Sequence, residues 1–239
     1  MSPWKEFTPA IFETCEPTLD GWIAHPAEAI TAIAYLAVAI LLWRQFKYRD
    51  RTLFVRYLPL ALGIIGVTSI LFHVSYAALF QIIDVAAIPL FMGYICAATV
   101  VHCRQADVST FPRLFWSITV ISVLLVITNL AVGFAIVISQ GCAIIWLWWT
   151  KPPTRGNTDA RRAILLLIFG AILLGLDHAA IGCVSGVNAH RIQPHSVWHL
   201  LSAASGYFFY RAESQLERIW CRPVSVSYTH LTLPTSDLV

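Results

Sequence analysis

The sequence predicts an all-α integral membrane protein, a bundle of seven transmembrane helices. Hydrophobic residues fill 58% of the 239 positions, only 12% of the residues are charged, and the mean hydropathy is +0.69. A chain with so few charges cannot cover the surface of a soluble protein of this size. The hydrophobic residues are grouped in runs of about 17 residues or more, which are long enough to cross a ~30 Å hydrocarbon core as helices.

Seven such runs are separated by short polar or basic connections. Their predicted bounds are 27–43, 58–74, 82–101, two spans within 114–149 with a turn at 128–133, 163–181 and 195–210. We therefore divide the chain into an acidic extramembrane N-terminal segment (1–24), a seven-transmembrane domain (25–223) and a tail (224–239). From Val226 the tail reads VSYTHLTLPTSDLV, which resembles translated sequencing-adapter read-through, and we expect it to be non-native.

Positive charges predict the orientation. The connection between the first two spans carries five basic residues against one aspartate, namely Arg44, Lys47, Arg49, Arg51 and Arg56. Basic residues also follow spans three, five and seven, and such residues are enriched on the cytoplasmic side. We expect the N-terminus outside or in a lumen and the C-terminus in the cytoplasm, in a bacterial inner membrane or, in a eukaryote, an ER or Golgi membrane. The net charge of +3 comes from these connections, so nucleic-acid binding is not expected. No oligomeric state is predicted.

Three histidines occupy positions from which they can converge. Ser69 and His73 are four residues apart and share one helix face, and so do His195 and His199. In the predicted topology His73 lies near the outer end of span two, Asp84 in the first turn of span three, and His195 at the outer start of span seven. Three neutral imidazoles with an open fourth position are typical of a catalytic zinc site.

Other polar residues lie near these spans. Asp177, near the outer end of span six, can orient a zinc-binding histidine through its other ring nitrogen, or can hydrogen-bond to a neighbouring helix. We interpret His102 and His190 as interfacial or solvated, and His25 as a polar group just before span one.

Two other interpretations of the histidines stay open. Each can hydrogen-bond to the next helix, although three at one depth beside a serine and an aspartate favour a shared role. Ser69, His73 and Asp84 can also form a serine-hydrolase set, but Ser69 lies in mid-helix without the G-x-S-x-G turn that exposes a nucleophilic serine.

The same residues resemble a known family. The pattern S-x3-H, an aspartate eleven residues after His73, and H-x3-H at the start of the last span resemble the alkaline ceramidase family. These are seven-transmembrane zinc amidases of the superfamily that also holds adiponectin receptors and haemolysin III. The segments ETCE (13–16), WIAHP (22–26) and HSVWHLLSA (195–203) extend the resemblance over most of the chain, and the first two look like bacterial members. The short gap between His73 and Asp84 is similar to the ceramidases rather than the receptors.

The resemblance implies a hydrolase of linear amides, which cleaves a ceramide-like lipid to a sphingoid base and a fatty acid. It implies that His73, His195 and His199 bind zinc, which lowers the pKa of a bound water toward ~7. Asp84 would act as general base and then as general acid. Ser69 would hydrogen-bond to the water or the oxyanion.

The resemblance implies two further features of the outer side. Some members bind calcium through the acidic N-terminal motif, here Glu13 and Glu16, and a glutamate at the entry to span one. His25 stands at the position of that glutamate, with Glu28 one turn on, which leaves calcium binding open. The family also joins a cysteine pair that corresponds to Cys15 and Cys183, and such a disulfide requires an oxidising compartment.

Two rival functions are considered. A receptor or signalling protein of the same superfamily would use the metal mainly as a structural element. A transporter or channel would place polar residues across the whole bilayer, whereas here they are predicted in one leaflet.

Overall fold

The computed structural model describes residues 2–47, 53–104, 106–107, 109–150 and 157–220. Within these ranges the protein is all-α, and its only β-type pairing is an isolated bridge between Pro9 and Ala77. The helices are α1 (Pro26–Lys47), α2 (Leu53–Ser75), α3 (Ala78–Arg104), α4 (Thr110–Thr128), α5 (Leu130–Thr150), α6 (Asn157–His178) and α7 (Pro194–Trp220), with a 3-10 helix at Gly186–Asn188 before α7.

Each predicted span falls on one of these helices, and the differences lie at the connections. Only two residues separate α2 from α3, and Asn129 alone separates α4 from α5. The Asn129 side chain accepts hydrogen bonds from the backbone N–H groups of Ala131 and Val132, which caps α5 and permits so short a turn. Because α3 begins at Ala78, Asp84 lies in its second turn and not in its first.

Five helices of the described chain are long and apolar enough to cross a membrane: Pro26–Gln45, Tyr57–Ser75, Ala78–Arg104, Thr110–Thr128 and Leu130–Thr150. Large apolar side chains such as Ile30, Leu124 and Leu165 are exposed, while polar side chains such as His73 and Gln140 are buried. This distribution indicates a multi-pass membrane protein, because lipid solvates apolar side chains and leaves polar groups to find partners inside. The all-α prediction is confirmed, and seven spans with their orientation stay a prediction.

Some predicted features lie outside the described residues. These are the basic positions 49 and 51 after span one, 151 and 155 after span five, and 222 after span seven, together with the tail, residues 224–239.

Helix packing brings α2 to the centre of the candidate site. It contacts α1 on one side, α3 on the other, and also α7, which in turn packs against α1 and α6. Helices α4 and α5 pack on α3, whose segment 91–99 is buried throughout. The helices that carry His73, Asp84 and His195, namely α2, α3 and α7, are therefore neighbours.

A glycine allows the close approach of α1 and α2. A Cβ atom on Gly66 would lie 2.8 Å from Leu36 Cδ2 and 3.1 Å from the Leu36 backbone nitrogen. One turn earlier on α2, a Cβ atom on Gly63 would meet Ala39 Cβ at an ordinary 3.9 Å. The two helices therefore touch at Gly66 and have more room at Gly63.

Residues 2–25, which we call the N-terminal cap, lie across one end of the bundle. The cap exchanges backbone hydrogen bonds with the α2–α3 connection, from Ala10 N–H to Tyr76 O and from Ala78 N–H to Thr8 O. The Gln81 side chain of α3 accepts from the N–H of Ile11 and donates to the carbonyl of Phe12. A disulfide joins Cys15 of the cap to Cys183, which follows α6, with 5.1 Å between their Cα atoms.

Candidate metal centre

Three histidines from two helices meet at the end of the bundle under the cap. His73 comes from the last turns of α2, and His195 and His199 come from the first turns of α7. One ring nitrogen from each lies within 4.8 Å of the others, and the ring centroids are 4.8 to 5.0 Å apart. Their exposed fractions are 0%, 8% and 2%, respectively. This group can hold a metal ion.

The Nδ1 atom of His199 faces away from the other two rings. It lies 3.1 Å from the backbone carbonyl of Glu28 and 3.2 Å from Thr31 Oγ1. Because a carbonyl oxygen only accepts, Nδ1 carries the hydrogen in this contact, and Nε2 keeps its lone pair. That Nε2 atom lies 3.4 Å from Ser69 Oγ.

Carboxylates stand behind the other two rings. His73 Nδ1 lies 2.9 Å from Glu28 Oε2, and His195 Nδ1 lies 3.6 Å from Asp177 Oδ2. Asp177 also accepts a hydrogen bond from the backbone N–H of His195 at 3.3 Å. Metal-binding histidines commonly have such an oxygen at the second ring nitrogen, where it fixes the tautomer and the ring orientation. Asp177 thus lies beside His195, and its role in orienting a zinc-binding histidine stays a prediction.

The histidines also pass a test of fit for a metal ion. Within the described part of the chain, neither ring nitrogen of His73 and not Nδ1 of His195 has a well-aligned hydrogen bond, although all three atoms are buried. The close contact of His73 with Glu28 is misaligned for one. Burial of unpaired polar atoms is costly, and a cation among the three rings would give a partner to His73 Nε2, the ring nitrogen that is not next to Glu28.

Ser69 and Asp84 come from neighbouring helices, α2 and α3. Ser69, on α2, is buried and contacts His199 as described. Asp84, on α3, accepts a hydrogen bond from Thr68 Oγ1 at 3.1 Å and interacts electrostatically with His195. In a serine hydrolase the acidic residue would hydrogen-bond to the histidine that activates the serine. Asp84 is hydrogen-bonded to Thr68 instead, and the carboxylate next to His73 belongs to Glu28, which argues against the serine-hydrolase alternative.

The structure does not gather Glu13 and Glu16 around one ion. The buried Glu16 carboxylate accepts hydrogen bonds from the N–H groups of Ala27 (2.9 Å) and Glu28 (3.0 Å), where an anion is favourable at the start of α1. Glu13 has an exposed side chain, and its backbone carbonyl lies 3.2 Å from His178 Nδ1. Neither residue belongs to the three possible metal-binding groups found among the described residues.

Sequence reasoning missed the roles of His25 and Glu28. Both side chains are completely buried, and His25 Nδ1 lies 3.1 Å from Glu28 Oε2. On the other side of its ring, His25 Nε2 lies 2.9 Å from Thr18 Oγ1. A glutamate in the first turn of an apolar helix, three residues after a histidine, was the available signal, because this spacing puts both on one face.

Tyr76 supports His25 from the α2–α3 connection. The two rings stack with 3.7 Å between their centroids. Burial raises the pKa of the Tyr76 phenol to about 12, so it stays neutral, accepts a hydrogen bond from Thr14 N–H and donates to the Phe12 carbonyl. Tyr76 has a φ of 50°, in the left-handed region that is costly for a residue with a side chain. These contacts hold it there.

The prediction for His102 was wrong. We interpreted it as interfacial or solvated, but it is 8% exposed and contacts the Glu213 carboxylate between α3 and α7. This pair lies in the second half of both helices, away from the three clustered histidines. A buried imidazole of this kind needs a partner on another helix, which local sequence does not reveal.

The chemical capacity of the centre follows from its donors. Three imidazoles can hold a cation, while a carboxylate and a hydroxyl on neighbouring helices can exchange protons or hydrogen bonds with a ligand. Comparison of the chain with protein-family models and with curated proteins finds no match.

Proposed function

We propose that this protein is a membrane-embedded, zinc-dependent amidase that hydrolyses the amide bond of a ceramide-like lipid to a sphingoid base and a free fatty acid. The observation that carries the proposal is the convergence of three buried histidines beside Ser69 and Asp84. The resemblance to alkaline ceramidases supplies the substrate class. Apolar helix exteriors suit a substrate whose acyl chains stay in lipid.

His73, His195 and His199 would hold the zinc ion. Bound there, zinc supplies Lewis-acid activation of water and of the amide carbonyl. The Glu28 carbonyl is hydrogen-bonded to Nδ1 of His199, while the Glu28 and Asp177 carboxylates lie next to Nδ1 of His73 and of His195, respectively. The inner nitrogens are then available as ligands.

Asp84 and Ser69 would carry the proton transfer and the charge stabilisation. Asp84 accepts a proton from the attacking water as its oxygen bonds to the acyl carbon, and delivers it to the amine nitrogen as the C–N bond breaks. Thr68 holds one oxygen of this carboxylate. The Ser69 hydroxyl donates to the oxyanion that forms on the former carbonyl oxygen.

The proposal includes seven membrane spans with the N-terminus outside. Cys15 and Cys183 are bonded, so the two must lie on the same side of the membrane, and an even number of crossings separates them. The five apolar helices together with α6 supply six. α7 then returns the chain to the opposite side. A disulfide on the outer side agrees with a periplasm or an ER or Golgi lumen.

The first experiment combines metal analysis with turnover. Full-length protein purified in detergent is analysed for zinc and for release of fatty acid from a short-chain fluorescent ceramide, with Asp84→Asn as the control. We expect about one zinc per chain, since one set of three histidines is present, and release that the variant abolishes. Protein without zinc would refute the proposal.

One observation favours the alternative, a receptor or signalling protein with a largely structural metal site. His73 is completely buried and His199 is 2% exposed, as in closed structural sites. Stoichiometric zinc without release from any amide lipid would support this alternative, and release that depends on Asp84 would exclude it.

A further inference from the structure

Three consecutive residues of the N-terminal cap contact the residues that stand behind the three histidines, two of them directly at the carboxylate oxygens and the third at the backbone of α1. Thr14 Oγ1 donates to Glu28 Oε2 at 3.1 Å, the oxygen that faces His73. The backbone N–H of Cys15 donates to Asp177 Oδ2 at 3.2 Å, the oxygen that faces His195.

Glu16 acts on the third histidine, His199, indirectly, by binding the backbone at the start of α1. Its carboxylate accepts from the N–H groups of Ala27 and Glu28, and the Glu28 carbonyl is the acceptor for His199 Nδ1. Glu16 therefore fixes the turn of backbone that holds His199. His190 Nδ1, 3.2 Å from Glu16 Oε1, ties the same carboxylate to the α6–α7 connection.

We infer that Thr14, Cys15 and Glu16 position the metal-binding histidines, and that the Cys15–Cys183 disulfide keeps these three residues in place. This role presupposes the metal site proposed above. It goes beyond a calcium loop or a surface tether, because the cap contacts both carboxylates behind the rings directly and, through Glu16, holds the backbone N–H of the residue whose carbonyl faces His199. The cap belongs to no helix, so its position depends on such contacts and on the covalent bond.

The physical reason is the orientation of the imidazole rings. Oxygens behind metal-binding histidines fix ring orientation, and their loss weakens metal affinity by about 10–100-fold. An oxygen can do this only if it is itself held, and each of these oxygens has a partner in the cap or in α1. We therefore expect a displaced cap to weaken metal binding in protein that is still folded.

The test uses zinc affinity and a cobalt spectrum of the full-length protein. Zinc affinity is measured by competition with a chromogenic chelator, and the visible absorption of the Co²⁺-loaded protein reports ligand geometry. Thr14→Val removes the hydroxyl at nearly constant volume, and Thr14→Ser restores it. A Cys15→Ser/Cys183→Ser pair removes the tether without leaving a free thiol. Lys5→Ala breaks an exposed ion pair with Asp20 in the same cap and serves as the control.

We expect Thr14→Val to weaken zinc affinity roughly threefold to tenfold, the range for loss of one hydrogen bond, and to change the cobalt spectrum. Thr14→Ser and Lys5→Ala should match the unmodified protein in both. The double serine variant should lose about tenfold or more in affinity.

Each result bears on one claim. Unmodified protein that binds no zinc would refute the metal site itself. Tight zinc binding by the unmodified protein, with the same affinity and spectrum in the Thr14→Val and double serine variants, would overturn the positioning role alone. If one of these variants does not fold, the other decides.

Discussion

Glu28 connects more parts of the centre than any residue that would bind the metal. Its carboxylate contacts His73 and His25, its carbonyl accepts from His199, and its N–H donates to Glu16. The side chain is completely buried, so its charge depends on these partners for stabilisation. Glu28 is therefore the residue at which a small chemical change should have the largest indirect effect on the metal.

We predict that Glu28→Gln weakens zinc affinity by about 10–100-fold, because a neutral amide is a poorer acceptor behind the His73 ring. The substitution keeps size and shape, so the change reports charge and hydrogen bonding. Chelator competition measures the affinity. Glu6→Gln, an exposed position in the cap, is the matched control. Equal affinities for both variants would contradict the assigned role of Glu28.

The residues that would bind zinc and those that would transfer protons should separate on substitution. We predict that His199→Ala loses both zinc and activity, whereas Asp84→Asn keeps most of its zinc and loses about 10²–10⁴-fold in turnover, the usual contribution of general acid–base catalysis. Zinc content and initial rates on the same preparations measure the two effects. Full zinc in His199→Ala would show that the ligand set is wrong.

At the residue scale, four-residue spacing together with the predicted topology indicated which histidines meet. Four-residue separations place Ser69 with His73 and His195 with His199, and helix geometry does the rest. The carboxylate behind His73 was not predictable in this way, because Glu28 reaches it from another helix. His102 failed for the same reason, since its partner Glu213 is more than a hundred residues away in α7.

At the element scale, the contact between α1 and α2 depends on the absence of a side chain at Gly66. We predict that Gly66→Ala destabilises the protein by about 1–3 kcal/mol, because the added methyl group overlaps Leu36. Gly63→Ala, on the same helix with 3.9 Å of room, should leave stability unchanged or raise it slightly. Thermal unfolding in detergent measures both variants, and equal destabilisation would count against this packing.

The helices themselves were predictable from hydrophobic run length, but their ends were not. A single residue, Asn129, turns the chain between α4 and α5 because its side chain caps the next helix. The sequence pattern suggested a six-residue turn at 128–133. Helix α7 continues to Trp220, well past the predicted end at 210, and polar side chains beyond that residue, Glu213 and Ser214, are buried, Glu213 against His102 of α3.

At the scale of the whole molecule, the disulfide makes the proposed topology testable. We predict that a cysteine at Val187, which is 87% exposed, reacts with a membrane-impermeant maleimide from the side that the cap faces. A cysteine at Arg161, exposed at the start of α6, should react only from the other side. Labelling of sealed, oriented vesicles before and after permeabilisation gives the result. Reaction of both from one side would mean that α6 does not cross.

The metal site can form only after the last helix has been synthesised, because its residues lie far apart in the sequence. Ser69 and His199 are 130 residues apart, and the two bonded cysteines are 168 apart. In the proposed topology, Glu28 and His73, and later Asp177, reach the membrane before α7 is translated. A chain without α7 would leave Asp177 and the Glu28 carbonyl without His195 and His199, their partners in the folded protein, and unpaired polar groups are costly in lipid. Helix α7 supplies these partners, so the polar groups of the site become paired only when the last helix is in place.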